Sequence, residues 1–180
     1  MFSKYKLLTL CISTLAVSGF GVGIAQAALT NQSKVVINGI DTVRVGMTVA
    51  QASKASGTRL VPTSQPNNSC YYVKPQTGLR NLNFMVTNGR ITRVDVQKNS
   101  EIATLKGARI GDTESKIKSL YPGQIKVTPH KYVNGGHYLT LVPKNGANIN
   151  DRIVFETDGK RVTAFRAGQL PEVEYVEGCS

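Results

Sequence analysis

Val45-Gly46-Met47-Thr48 and Ile110-Gly111-Asp112-Thr113 carry the same signal 65 positions apart: an apolar residue, a glycine, a spacer and a threonine. A threonine ahead of helical periodicity is an N-cap, because its hydroxyl accepts a backbone N–H that the first turn leaves unpaired. Gln51, three residues after Thr48, completes a capping box. Val49, Ala52 and Ala55 then share one helix face, and Gly57 is a natural stop. In the second copy Asp112 competes with Thr113 for the cap, and Glu114 suits the positive helix start. Ile117, Leu120 and Tyr121 share a face there, and Tyr121-Pro122-Gly123 ends the helix.

Outward from each helix the chain reads as strands. Residues 35–37 form a β-branched strand stopped by Asn38-Gly39, and residues 62–69 form a loop. Strands follow at 70–73, 82–87 and 91–96, the last two joined by the hairpin turn Asn88-Gly89. Residues 98–108 link to the second unit. Its strands are expected at 125–128, 131–133, 137–142, 153–157 and 162–166, with turns at Pro129, at Asn134-Gly135-Gly136 and at Asp158-Gly159. The hairpin Phe-Met-Val-Thr-Asn-Gly at 84–89 matches Val-Phe-Glu-Thr-Asp-Gly at 154–159. Helix start, strand and hairpin in the same order twice predict an α+β fold of two tandem repeats. Each repeat is a short helical layer packed on an antiparallel β-sheet with a C-terminal hairpin.

Strand side chains alternate between faces, so the pattern assigns an inside and an outside. Leu139, Leu141, Phe155 and Phe165 fall together in the second unit, as do Tyr71, Val73, Val94 and Val96 in the first. These sides should face the helices. Tyr138, Thr140, Glu156 and Arg166, with Tyr72, Lys74, Arg93 and Asp95, fall on the other side. Tyrosines among charges on an exposed sheet face suit an interaction surface, since tyrosine offers large contact area at low entropic cost. Ordinary solvent-facing strand residues would read the same way. The expected binding residues are Tyr72, Lys74, Arg93, Tyr138, Thr140 and Arg166.

The first 27 residues read as an export signal: Lys4 and Lys6, an apolar run at 7–18, and Ala25-Gln26-Ala27 as cleavage site. Leu10 before Cys11 argues against lipidation. The expected layout is residues 1–27 signal peptide, 28–98 first repeat, 99–170 second repeat and 171–180 an acidic tail. Cleavage before Ala28 predicts a periplasmic or secreted protein. Net charge is +11 and falls to +9 without the two signal lysines. Glu172, Glu174 and Glu177 gather in the tail, so the body is more basic still. That charge suits acidic proteins, anionic lipid head groups or glycans, or simply solubility. The lysines and arginines are scattered, so no nucleic-acid patch is expected.

Cys70 and Cys179 remain once Cys11 leaves with the signal. An even count in an exported chain suggests a disulfide, which would pin the acidic tail to the first unit. A redox dithiol is the rival, although the spacing is far from Cys-x-x-Cys.

The Gly-x-Thr helix start followed by an antiparallel sheet and hairpin resembles the beta-lactamase inhibitory protein family and the small SmpA/OmlA (BamE) outer-membrane lipoproteins. The lipoproteins carry one such unit, with a start like Val43-Arg44-Val45-Gly46-Met47-Thr48, and the inhibitory proteins carry two. The resemblance covers about residues 35–168. It implies helices packed on an antiparallel sheet, no catalysis, and protein–protein recognition through the open sheet face.

Chemistry finds few candidates. His130 and His137 flank a turn, too few ligands for a zinc site of three or four protein groups. No Gly-x-Ser-x-Gly element occurs, and the polar loop at 145–151 lacks calcium-loop spacing. The reading is therefore an exported, non-catalytic protein-binding module with no cofactor and no metal. A small envelope hydrolase using His137 is the alternative, as is a binder of anionic lipid or glycan.

Overall fold

The computed structural model describes residues 28–65, 69–144 and 146–179. The expected signal peptide lies outside them. The fold is mixed α+β and dominated by antiparallel sheet. Its strands are β1 (Lys34–Val36), β2 (Gly39–Ile40), β3 (Val43–Arg44), β4 (Leu60–Pro62), β5 (Cys70–Pro75), β6 (Leu82–Thr87), β7 (Arg90–Val96), β8 (Ala103–Thr104), β9 (Ile125–Pro129), β10 (His137–Leu141), β11 (Asp151–Thr157) and β12 (Val162–Gln169). The described residues also form two short helices, α1 (Val49–Ala55) and α2 (Glu114–Leu120), and a 3-10 turn at Glu172–Glu174.

Eight strands form one sheet in the order β4-β5-β6-β7-β12-β11-β10-β9. Its centre is the antiparallel pair β7–β12, in register at Arg166 with Asp95 and Gly168 with Arg93. The other sheet is small, in the order β3-β2-β1-β8, with β8 parallel to β1. This second sheet and the parallel pair were not expected. β8 lies inside what reads as a linker, because two residues are too few to show a period.

The helix starts behave as their residues dictate. Thr48 Oγ1 accepts from Gln51 N at 3.2 Å, and Thr48 N donates to Gln51 Oε1 at 2.9 Å, closing the capping box. Thr113 Oγ1 accepts from Lys116 N at 3.2 Å. Asp112 is not the cap: its carboxylate accepts from Arg109 N and pairs with Lys116 Nζ at 2.7 Å. The preceding glycines, Gly46 and Gly111, both have φ +88, where a side chain is strained. Gly46 N donates to Ile91 O and Gly111 N to Val162 O, each at 2.8 Å. Arg90 Nη1 caps the Gly46 carbonyl and Arg161 Nη1 the Gly111 carbonyl, each at 2.7 Å. Both adjoining hairpins carry a register shift, at Met85/Val86 and at Glu156/Thr157.

The core lies between the large sheet and a layer made of the helices and the small sheet. Val73, Val94, Val96, Leu139, Leu141, Phe155 and Phe165 are buried in it, as alternation predicts, and Tyr71 packs against it half-buried. Ala52, Ala55 and Ile117 enter from the helices, and Val35, Ile40, Val43 and Ile102 from the small sheet and its neighbour. The valine, leucine, isoleucine and phenylalanine side chains contribute about 1.5–3 kcal/mol each when fully buried. The covering layer is thus less helical than expected, with α1 and α2 only seven residues each.

Residues 131–133 are not a strand. His130 Nδ1 accepts from Tyr132 N at 3.0 Å and Val133 N at 3.2 Å, so these amides are satisfied by a side chain instead of a ladder. β9 runs through Pro129, and residues 130–136 form the hairpin loop. No helix among the described residues is long and apolar enough to cross a membrane.

Candidate interaction face

The large sheet's second face gathers Tyr72 and Lys74 from β5, Arg93 and Asp95 from β7, Arg166 from β12, Glu156 from β11, Tyr138 and Thr140 from β10, and Lys126 and Thr128 from β9. Alternation therefore placed the six expected binding residues on one face. It misjudged their exposure. Arg93 is 3% exposed, Arg166 6%, and Tyr138 and Thr140 8% each. Tyr72 is half-buried, and only Lys74 stands in solvent.

The cover is the tail. Cys179 is bonded to Cys70 at the start of β5, which carries residues 170–179 back across the sheet. Arg93 Nη1 donates to the carbonyls of Glu172 and Tyr175, each at 2.8 Å. Its Nε and Nη2 grip the Asp95 carboxylate, each at 2.9 Å, and Nη2 also reaches the Tyr72 hydroxyl. Arg166 Nε donates to Val173 O at 2.6 Å, while its Nη1 pairs with Glu156. Under the tail Val173 is fully buried against Tyr138 and Val154, with Leu170 and Val176 alongside, making a second small core. Gly178 is needed at the crossing: its φ is +70, and a Cβ there would lie 2.6 Å from the Tyr72 hydroxyl.

This enclosure moves proton affinities. Burial, reinforced by the Asp95 charge, pushes the Tyr72 phenol up to about 12. Burial also raises the Asp95 carboxyl, against the opposing pull of Arg93.

Part of the face stays open. A groove of about 450 Å³ runs from β9 to the tail. Its floor is Tyr138, Thr140 and Val154, its basic walls Lys126 and Arg152, and the tail bounds it through Glu174 and Val176. A larger hollow of about 600 Å³ sits at the β5–β6 turn beside Lys74 and Arg80, formed chiefly by loop residues. The groove offers the organised chemistry, with apolar floor, hydroxyls and flanking cations. Sequence reasoning placed Tyr138 and Thr140 there but missed Lys126 and Arg152, which only strand pairing brings beside them.

The two histidines are held apart in separate settings. His137 Nδ1 lies 2.8 Å from Glu114 Oε1, which also accepts from Thr157 Oγ1 at 2.6 Å. Thr157 in turn accepts from His137 N and Gly159 N, so its hydroxyl is spent on structure. His130 stacks on Tyr138, ring centroids 4.5 Å apart, and its Nε2 lies 3.7 Å from Glu156. Among the described residues no group of three or more His, Cys, Asp or Glu side chains is placed to hold a metal ion.

The chain matches no protein-family model, no curated protein and no solved structure. The groove and the tail-covered face are therefore read from their own chemistry.

Proposed function

We propose that this protein is an exported, non-catalytic binding module of two tandem repeats that recognises another protein through the open part of its large sheet. The observation that carries the reading is the groove beside the tail, where Lys126 and Arg152 flank an apolar, hydroxyl-bearing floor. Half-buried Val142 and Val176 beside the Thr128 and Thr140 hydroxyls, flanked by cations, have the composition of a recognition surface. The recurrence of the glycine bond, the arginine cap and the hairpin shift at both helix starts supports the duplication. The basic body suits an acidic partner and fast electrostatic encounter.

A photo-reactive residue at Thr140, with Lys54 on α1 as the control position, tests the reading. In cell-envelope extracts a protein captured from Thr140 and not from Lys54 is the expected result. Equal capture at both positions, or capture of lipid or glycan alone, would overturn it. A hydrolase reading predicts that His137→Ala abolishes function; the binding reading predicts that the captured partner is unchanged.

A further inference from the structure

Among the described residues β9 ends the large sheet and pairs only with β10. Val142 N donates to Gln124 O, and His130 N to Gly136 O, each at 2.9 Å, one at either end of this ladder. Antiparallel pairs alternate, so Lys126 and Thr128 also turn their amides inward to β10. Ile125 and Val127 therefore present N–H and C=O groups outward, and Pro129 closes the row because it has no N–H. The opposite edge, β4, is shorter at three residues.

The side chains on this edge have two characters. Lys126 is exposed on the groove side and enters no ion pair among the described residues. Thr128 and, beyond the β10 floor, Arg152 line the same groove. Val127 is 41% exposed on the opposite side of the strand. Resting on the binding reading above, we infer that β9 is the docking edge, and that its occupant is an extended segment of another protein that alternates carboxylate and apolar residues. Added as a ninth strand, such a segment takes the outward Ile125 and Val127 amides. Its carboxylates fall on the groove side, next to Lys126, and its apolar residues fall beside Val127. A second copy of this chain is the wrong occupant. Edge-to-edge pairing would set Lys126 among the lysines of an equally basic body, and a lysine on an edge opposes that pairing.

The test titrates the disulfide-bonded chain with an alternating valine–glutamate octapeptide and with a block peptide of the same composition, following the Ile125 and Val127 amides by NMR. Either peptide brings the same backbone, so shifts of both amides report strand addition. The alternating one is expected to bind about tenfold tighter, because it alone sets all its carboxylates on the Lys126 face and all its valines beside Val127. Val127→Pro removes an outward N–H and no ladder bond; it should weaken binding about tenfold, and Lys126→Glu similarly. Equal binding of the two peptides, or full affinity in Val127→Pro, overturns edge docking. A groove partner captured at Thr140 as before, but indifferent to Val127→Pro, also overturns it and leaves the binding reading standing. Failure of capture at Thr140 removes that reading alone, because the peptide titration still decides the edge.

Discussion

Arg93 holds the carbonyl of Tyr175 at 2.8 Å, across 82 residues of chain. The same guanidinium neutralises Asp95, so one side chain serves both a buried carboxylate and the tail. Arg93→Ala should therefore lose more than a hydrogen bond. It strands Asp95 without a partner, and breaking a mostly buried pair costs about 3 kcal/mol or more. Urea unfolding checks the size. Arg93→Ala combined with Asp95→Ala should recover part of the loss, because no carboxylate is then left unpaired.

The disulfide closes a separation of 109 residues. On the chain-entropy account, Cys70→Ser with Cys179→Ser should lower stability by about 4–5 kcal/mol. Amide exchange should rise first at residues 170–179, since only non-covalent contacts then hold the tail: Arg93 and Arg166 on its carbonyls, Val173 in its small core and Lys131 on Glu177. Uniform acceleration over the whole sheet would count against a tail clamp.

Gly46 and Gly111 share φ +88 in open space, so only backbone strain opposes a side chain there. Gly46→Ala and Gly111→Ala should each cost about 1–2 kcal/mol, and by similar amounts. Thermal melts of the two variants give the comparison. A large difference between them would show that the two helix starts are not equivalent.

Tyr72 offers an optical signal. With its phenol pushed up to about 12, and burial also raising that of Tyr121, two tyrosines should ionise later than the solvent-exposed ones in an ultraviolet titration. Tyr72→Phe should shrink that late component and leave the part that Tyr121 contributes.

Glu114 predicts the acid limb. Burial raises its carboxyl, but the Thr157 hydroxyl, the His137 ring and Lys118 outweigh burial, and the net shift is downward from 4.5. A depressed folded-state value means the contribution is present above the unfolded value and lost as pH falls through the folded one. Stability should thus decline below about pH 4.5, and Glu114→Gln should flatten that decline. Unfolding midpoints between pH 3 and pH 6 (roughly the carboxylate range) provide the check.

The sequence by itself determined what depends on neighbours along the chain. Thr48 as a cap, the Asn88-Gly89 and Asp158-Gly159 turns, and the inward set from Val73 to Phe165 follow from local bonding and a period of two, whereas Asp112 and Thr113 were rivals for the second cap until the structure gave it to Thr113. The pairing of Cys70 with Cys179 followed from the expectation that Cys11 leaves with an export signal, and the structure shows that pairing. Tertiary structure alone decided that β7 meets β12, that β8 pairs parallel to β1, and that the tail crosses the second face. The reason is physical. Alternation says which way Arg93 and Arg166 point, but a guanidinium satisfied by water and one satisfied by the carbonyls of Glu172, Val173 and Tyr175 leave the same trace in a sequence. Lys126 and Arg152, far apart in the chain, became neighbours of one groove only when the β9–β10–β11 ladder set their register.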